Sequence, residues 1–272
     1  MRIALVQQRA TDDTAANRAR GLGALEEAAR AGAELVCYAE LAFEPFYPQE
    51  RAPADVSSLA ETIPGPTTEA FAAYAARLGV GVVLNLFERD AGSTYDSSPV
   101  IDSDGRILGK TRMVHVPDYA CFHERGYYTP GDLGAPVYRT AFGKVGVAIC
   151  YDRHYPEYMR ALALAGAEVV VVPQAGAVDE WPEGLYEAEL RTAAFQNGYF
   201  TALTNRVGRE PKLEFAGESF VCDPAGKVIA RAAKGAEEIL LCDLDLEEAR
   251  RSHARRLFLR DRRSELYGEW LK

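Results

Sequence analysis

The run AEVVVVP at residues 167–173 holds four consecutive valines and shows no alternation of apolar and polar side chains. The run GVGVVLNLF at residues 79–87 has the same character. Such runs are typical of strands that are covered on both faces, by helices on one side and by a second sheet on the other. The two runs therefore favour an α/β fold that is built of stacked layers.

The rest of the chain alternates short β-rich runs with alanine-rich helical patterns. In the first half we predict strands at 2–7, 34–38 and 80–88, helices at 11–31 and 67–78, and a hairpin at 95–112 that turns at Asp104-Gly105. In the second half we predict strands at 145–149, 168–172, 200–205 and 238–243, helices at 156–165 and 183–197, and a hairpin that turns at 224–226. No linker-like stretch divides the chain, so we predict a single domain over residues 1–272.

Composition excludes several classes of protein. The 272 residues include 31 basic and 40 acidic side chains, a net charge of −9, which argues against nucleic acid as the main partner. No apolar run approaches the roughly 18 residues of a membrane span, and the opening MRIALVQQRA lacks a signal-peptide pattern. Five scattered cysteines without a CxxC pair argue against a disulfide framework. We therefore expect a cytoplasmic protein that binds no membrane.

Cys150 is the first candidate for a chemical role. It ends the apolar run KVGVAIC, and Pro156 and Glu157 then suit the first turn of a helix. A cysteine at such a strand-to-helix elbow lies near the positive end of the helix, which favours a reactive thiolate. A small buried core residue is the alternative, and the position alone does not separate the two.

A thiol nucleophile needs a base, and none of the four histidines is placed so that the sequence pairs it with Cys150. Glu40 closes the apolar run AELVCYAE, where a desolvated carboxylate can accept a proton near neutral pH. Lys110, at the exit of the predicted hairpin, can stabilise an oxyanion, and Glu124 lies in an aromatic-rich segment that suits a pocket wall. Taken singly, Glu40 and Lys110 are equally compatible with an ordinary loop or strand end.

Three motifs occur together in a fixed order: YAELAF at 38–43, GKTRMVHVPD at 109–118 and GVAICYDRHYPE at 146–157. In this respect the chain resembles the nitrilase or carbon–nitrogen hydrolase superfamily over nearly its whole length. The resemblance implies a four-layer α-β-β-α sandwich whose subunits pair, so we expect a homodimer or higher homo-oligomer. It also implies a Glu-Lys-Cys triad, which falls on Glu40, Lys110 and Cys150, and a second glutamate, which falls on Glu124.

Two further stretches, residues 115–132 and 258–267, resemble the N-carbamoyl hydrolase branch of that superfamily. We predict that Tyr151, Arg153 and His154 bind substrate, with the Arg153 guanidinium holding a carboxylate in a bidentate manner. The resemblance thus favours an N-carbamoyl amino acid of the N-carbamoyl-β-alanine type, cleaved to amine, CO2 and ammonia through a thio-intermediate. An ion pair that caps a helix or joins subunits is the structural alternative for Arg153.

Other functions stay open at this point. The acidic side chains of residues 179–189 would suit a cationic substrate such as N-carbamoylputrescine, although most of them also suit a solvated helix face. An aliphatic or ω-amidase would use the same four residues, and a catalytically silent scaffold is the non-enzymatic alternative. The arginine-rich tail at 250–263 is interpreted as interface material, and we expect neither a metal nor an organic cofactor.

Overall fold

The structure, a computed structural model, describes residues 1–270. The strands in chain order are β1 (Arg2–Gln7), β2 (Leu35–Tyr38), β3 (Gly81–Val83), β4 (Leu86–Asp90), β5 (Ser93–Ile101), β6 (Ile107–Arg112), β7 (Val137–Thr140), β8 (Gly143–Val147), β9 (Val169–Gln174), β10 (Phe200–Asn205), β11 (Val207–Arg209), β12 (Glu214–Ala216), β13 (Phe220–Cys222), β14 (Val228–Arg231) and β15 (Glu238–Asp243). The helices are α1 (Thr14–Arg30), α2 (Pro66–Leu78), α3 (Pro156–Leu164), α4 (Leu185–Asn197), α5 (Leu246–Arg251) and α6 (Ser264–Trp270). Short 3₁₀ turns lie at Tyr47–Gln49, Ser57–Leu59, Glu124–Gly126 and Cys150–His154, and a π-helical turn lies at Ala254–Phe258.

Most strands belong to two mixed sheets. The first has the order β15-β1-β2-β3-β5-β4, with β6 also paired to β5, and the second has the order β14-β13-β10-β9-β8-β7. Strands β1, β2 and β3 run parallel, as do β8, β9 and β10, and antiparallel strands flank both groups. This pairing is what βα units followed by hairpins produce, because parallel neighbours need a helical crossover. Strands β11 and β12 form a small separate ladder.

Side-chain alternation explains the layers. Along β9, Val169 and Val171 belong to a core that both sheets share, whereas Val170 and Val172 pack with residues of α3 and α4. Strands β1 and β2 alternate in the same way between the shared core and a third core beneath α1 and α2. Three cores thus separate four layers, α-β-β-α. The valine run lacks polar residues because both of its faces are buried, as the sequence predicts.

The predicted strand at 80–88 is divided into β3 and β4. Both parts pair with β5 in one continuous antiparallel register, so the break lies within a single predicted strand. The side chain of Asn85 lies at the break. Its Oδ1 accepts the backbone N–H of Leu41 (2.8 Å), and its Nδ2 donates to Asp96 and to the hydroxyl of Ser98. A buried amide that links three polar groups therefore replaces an apolar side chain at this point.

The arginine-rich tail contacts its own chain. Arg255 donates to the backbone carbonyls of Ala163 (3.0 Å) and Ala167 (2.6 Å), at the end of α3 and the start of the following turn. Arg250 forms an ion pair with Glu168 (2.8 Å). These two arginines therefore attach the tail to the end of α3 and to the residues just before β9 within one chain, and an interface role for the tail stays a prediction.

Candidate active site

Cys150 lies at an elbow shortly after β8. Its φ of +42° is in the left-handed region, where residues other than glycine are uncommon and which is often strained at functional sites. The side chain is 5% exposed, and burial together with the neighbouring Glu40 carboxylate raises the pKa of the thiol well above its ordinary value. Helix α3 begins only at Pro156, after a 3₁₀ turn. The predicted elbow is thus present, but the helix N-terminus does not lie at the sulfur.

Two sets of hydrogen bonds hold the elbow. Arg153 donates from Nη1 to the carbonyl oxygen of Cys150 (2.7 Å) and to Oε1 of Gln174 on β9 (2.7 Å). The buried carboxylate of Asp152 accepts the backbone N–H groups of Val114 (3.2 Å) and His115 (2.9 Å). The segment after β6 is therefore tied directly to the residues that follow the nucleophile.

Glu40 lies two residues beyond β2 and is fully buried. Burial, and to a smaller extent the nearby Glu124 carboxyl, raises the pKa of Glu40 to about 8. Asp96 and Cys150 lie beside its carboxylate and oppose this rise, yet neither oxygen of Glu40 has a partner with good hydrogen-bond geometry. A carboxyl group with this pKa can exchange a proton near neutral pH, which is the property that the predicted general base requires.

An arginine that was not among the predicted site residues bonds the backbone of the loop that carries Glu40. Arg206, 1% exposed, donates to the backbone carbonyls of Glu40 (3.0 Å), Leu41 and Glu44 (2.9 Å), and pairs with Glu210. Leu41 has a φ of +45°, so the chain turns sharply immediately after Glu40. Positions so far apart along the chain share no local pattern, so this contact could not be predicted from the sequence.

Glu124 begins the 3₁₀ turn at Glu124–Gly126 and is fully buried. Neither of its carboxylate oxygens has a hydrogen-bond partner. Burial and the neighbouring carboxyls of Asp96, Glu180 and Asp152 raise its pKa well above the ordinary value. The structure therefore brings Glu40, Glu124 and Cys150 together, as the family resemblance implied.

Asp96 is a third buried acid at the same place. It is 1% exposed, its pKa is raised by burial and by Glu40, and its Oδ1 accepts a hydrogen bond from Asn85. We refer to Glu40, Asp96 and Glu124 as the acidic cluster. From the alternation of apolar and polar residues in TYDSSPVID, one could have predicted that Asp96 faces inward. The same pattern does not predict that Asp96 lies beside Glu40.

The structure does not bring Lys110 to the acidic cluster. Lys110 lies opposite Pro99 on β5, whereas Asp96, three residues earlier on that strand, faces the other side of the sheet. The ammonium of Lys110 instead pairs with Glu88 and lies 3.7 Å from Asp90. The prediction that Lys110 belongs to the triad is therefore wrong. Successive residues of a strand point to opposite faces, and this alternation directs Lys110 away from Cys150.

Met113 occupies the position that the lysine was expected to fill. Its backbone N–H bonds the carbonyl of Asp96 (2.9 Å), so the two side chains share a face of the sheet. Met113 is 1% exposed and belongs to the same core cluster as Cys150. An uncharged thioether thus lies on the face of the sheet that carries Asp96, in the same core as Cys150.

Two of the three predicted substrate-binding residues contact Glu189 of α4. Arg153 is buried at the elbow, with its Nε 3.4 Å from Oε2 of Glu189 and its guanidinium 4.6 Å from the ring centre of Tyr186. His154 pairs with the other carboxylate oxygen of Glu189 (2.6 Å), and Tyr151 is half-buried, with its ring 5.0 Å from that of His154. Arg153 therefore braces the elbow that carries Cys150. The other two belong to a group of rings that we call the aromatic patch: Tyr119, Tyr151, His154 and Trp181.

Glu180 is an additional acid at the outer side of this patch. Its carboxylate accepts hydrogen bonds from the hydroxyls of Tyr119 (2.6 Å) and Tyr186 (2.5 Å) and from the backbone N–H of Ala177 (3.0 Å). Its negative charge is the smallest of the contributions that raise the pKa of Cys150, after burial and two other carboxyls, so the carboxylate lies in the neighbourhood of the thiol. Glu180 belongs to the acidic run at residues 179–189, and no feature of the sequence distinguishes it from the other acids of that run.

The sequence pattern of the carbon-nitrogen hydrolase family matches residues 2–254. The chain belongs to the carbon–nitrogen hydrolase family. It is 33% identical to the N-carbamoylputrescine amidase of Solanum lycopersicum over 279 residues, which cover 97% of this chain and 93% of that protein. The crystal structure of a carbon-nitrogen hydrolase from Helicobacter pylori G27 matches with a TM-score of 0.93 at 33% identity, over 100% of this chain and 98% of that one.

A variant of the amidase from Nesterenkonia sp. AN1 matches this hydrolase with a TM-score of 0.82 at 26% identity, over 99% of both chains. In that structure acrylamide has added to the active-site cysteine. These matches confirm the predicted nitrilase-type α/β sandwich. Within residues 1–270 the hydrolase has no cluster of three or more acidic, histidine or cysteine side chains arranged to hold a metal, and every helix there falls short of what a bilayer span requires.

Proposed function

We propose that this hydrolase cleaves the C–N bond of a linear carbamoyl compound, with Cys150 as nucleophile and Glu40 as general base. The observation that carries the proposal is the meeting of the two side chains: a thiol on a strained elbow and a buried carboxyl whose pKa is about 8. The relatives support it, because one is named for a carbamoyl substrate and another carries an adduct on its cysteine.

The proposed reaction begins with a neutral thiol, because burial raises the pKa of Cys150. Glu40 removes the thiol proton as the sulfur attacks the carbamoyl carbon, and then returns that proton to the departing amine. A water molecule activated by the same carboxylate releases the carbamoyl group. Glu124, whose two oxygens lack partners, accepts hydrogen bonds from the NH₂ of the substrate and orients it.

For the distal end of the substrate we favour a cationic group. Glu180 lies in the neighbourhood of Cys150 and is bonded to Tyr119 of the aromatic patch, and its carboxylate would pair with an ammonium there. Arg153 is less suited to a substrate carboxylate, because its Nη1 is already shared between Cys150 and Gln174. An ω-ureidoalkylamine such as N-carbamoylputrescine is therefore the first candidate.

The N-carbamoyl amino acid is the second candidate. Nη2 of Arg153 is buried and has no hydrogen-bond partner, so one N–H group is left for a carboxylate that reaches it. Nε lies 3.4 Å from Oε2 of Glu189, so a substrate carboxylate would have to compete with Glu189 for the guanidinium.

Ammonia release from N-carbamoylputrescine and from N-carbamoyl-β-alanine tests the proposal. We expect the diamine to turn over at least tenfold faster in kcat/KM, and Cys150→Ala to abolish both reactions. Glu180→Gln should raise KM for the diamine about tenfold, because one ion pair is lost, and leave the acid unchanged. If only N-carbamoyl-β-alanine is turned over, the second candidate is favoured, with Arg153 binding the carboxylate of the substrate.

A further inference from the structure

The acidic cluster contains more acceptors than its surroundings supply donors. Both oxygens of Glu40 and of Glu124, and Oδ2 of Asp96, have no hydrogen-bond partner. The hydroxyl of Tyr128 is also without a partner, is buried, and lies in the field of the same three carboxyls. Buried polar atoms are almost always paired, so this group of orphaned atoms beside a nucleophile indicates a ligand that is rich in N–H groups.

The described chain places no lysine in the cluster. Lys110 faces the other side of its sheet, and the other lysines of residues 1–270 are at least partly exposed, whereas the cluster is buried. The charged groups whose fields act on Glu124 are all carboxyls. Arg153 acts on Cys150, but it is directed to the backbone of the elbow. The site therefore lacks a side-chain cation at the place where a carbonyl oxygen would become negative.

We propose that the substrate brings the missing positive charge in its reacting group: the site also deiminates a guanidinoalkylamine, and does so faster than it hydrolyses the neutral carbamoyl compound. The proposal rests on the proposed role of Cys150 as nucleophile. A planar guanidinium carries five N–H donors, which match the orphaned oxygens of the acidic cluster, and it stays charged at neutral pH.

The charge balance favours the cationic substrate. Attack of a thiolate on a carbonyl produces an oxyanion, whose stabilisation is usually the largest single contribution to acyl transfer. Attack on a guanidinium carbon moves the C=N electron pair to nitrogen and produces a neutral tetrahedral intermediate, so no oxyanion forms. The thioether of Met113 cannot stabilise an oxyanion, but the reaction of a guanidinium does not need that stabilisation.

The atoms balance without any further reactant. The C–S bond forms, one C–N bond breaks as Glu40 delivers the thiol proton to the departing nitrogen, and ammonia leaves an S-alkylisothiouronium cation. Water then adds to the carbon while Glu40 takes its proton, the C–S bond breaks, and the thiol is restored. Guanidinium and water become a ureido compound and ammonium, with no change in oxidation state.

The decisive comparison uses two substrates that differ in one group, 4-guanidinobutylamine and 4-ureidobutylamine. The ureido product and ammonia are measured separately for the whole protein. We expect kcat/KM for the guanidino compound to be at least tenfold higher. Equilibrium binding to Cys150→Ala should show the same preference, at least tenfold, which makes the comparison independent of turnover.

Met113→Lys tests the cause of the preference. A lysine at this position would place an ammonium in the acidic cluster, so we expect kcat/KM for the guanidino compound to fall at least tenfold and that for the ureido compound to rise. Leu164→Lys, at an exposed position of α3, adds the same charge elsewhere and should leave both values unchanged. If Met113→Lys does not fold, the binding preference of Cys150→Ala decides the question.

The outcomes separate the two proposals. Turnover of the ureido compound without turnover or tighter binding of the guanidino compound overturns this inference and leaves the proposed function intact. Turnover of the guanidino compound that persists in Cys150→Ala overturns both, because the nucleophile would then be another group. Deimination that depends on Cys150 and is suppressed in Met113→Lys establishes the inference.

Discussion

The guanidinium of Arg206, between β10 and β11, donates a 3.0 Å hydrogen bond to the carbonyl oxygen of Glu40. The second sheet thus holds the proposed general base of the first sheet by its backbone. The carboxylate itself is left without a hydrogen-bond partner. The backbone hydrogen bond positions Glu40, while the unbonded carboxylate keeps a pKa that is set mainly by burial. A group that exchanges protons near neutral pH requires both properties.

Replacement of Arg206 should therefore affect both stability and rate. Arg206→Met retains much of the side-chain volume but leaves several buried carbonyls unpaired, and we expect a loss of about 3 kcal/mol in the free energy of unfolding. We also expect kcat/KM to fall at least tenfold, because Glu40 would no longer be fixed. Urea denaturation followed by circular dichroism measures the first effect. Arg209→Met, at an exposed position, is the matched control and should stay within about 0.5 kcal/mol of wild type.

Glu40→Gln should make the protein more stable in alkaline solution. The pKa of Glu40 is about 8 in the folded protein against 4.5 ordinarily, so between these values the native state holds a proton that the unfolded chain lacks. Stability contributed by this group is therefore lost as the pH rises through that window. We expect the variant to gain roughly 2–4 kcal/mol at pH 9 and almost nothing at pH 4. An equal gain at both pH values would show that the ionisation of Glu40 is not the cause.

Asp96 lies beside the carboxyl of Glu40 and lowers its pKa, and its own pKa is raised, so that a protonated Asp96 can turn its O–H to Glu40 once Glu40 ionises. Asp96→Ala removes the donor. The rising limb of the pH profile of kcat/KM should therefore move to higher pH by about one unit. Asp96→Asn keeps a donor and should retain the wild-type limb within a few tenths of a unit. A shift to lower pH in both variants would mean that Asp96 acts as a negative charge instead.

Lys110 should be dispensable for the reaction. Lys110→Met removes an ion pair on the far face of the first sheet, where Arg112 still pairs with the buried Glu88. We expect kcat/KM to stay within about threefold of wild type, whereas the loss of an oxyanion-stabilising group costs about 100-fold or more. A fall of about 100-fold in kcat/KM at unchanged stability would contradict this prediction and show that Lys110 takes part in the reaction.

Residue patterns predict sheets that are buried on both faces, and the family resemblance adds the four layers and assigns Glu40, Glu124 and Cys150 to the candidate site. The valine run reports burial on both faces, and Glu40 and Cys150 close apolar strands whose ends meet. Period-two alternation cannot by itself decide which face of β6 is inward, because a shift of one residue exchanges the faces. That is why Lys110 was assigned to the site and Met113 was not.

The remaining site residues depend on contacts between distant parts of the chain. Arg206 reaches Glu40 across the two sheets, and Asp96 is connected through Asn85 to the backbone of Leu41, in the loop after β2. Neither contact leaves a local sequence signature. The predicted single domain, homo-oligomer and cytoplasmic location stay predictions.

The backbone of Cys150 has a further consequence for the stability of the fold. A φ of +42° is most easily adopted by glycine, which has no side-chain clash there. Cys150→Gly would therefore relieve the backbone at the elbow while it removes the thiol. If Cys150 is the proposed nucleophile, the same position trades conformational stability for chemistry, and an inactive variant with glycine there should be at least as stable as the wild type.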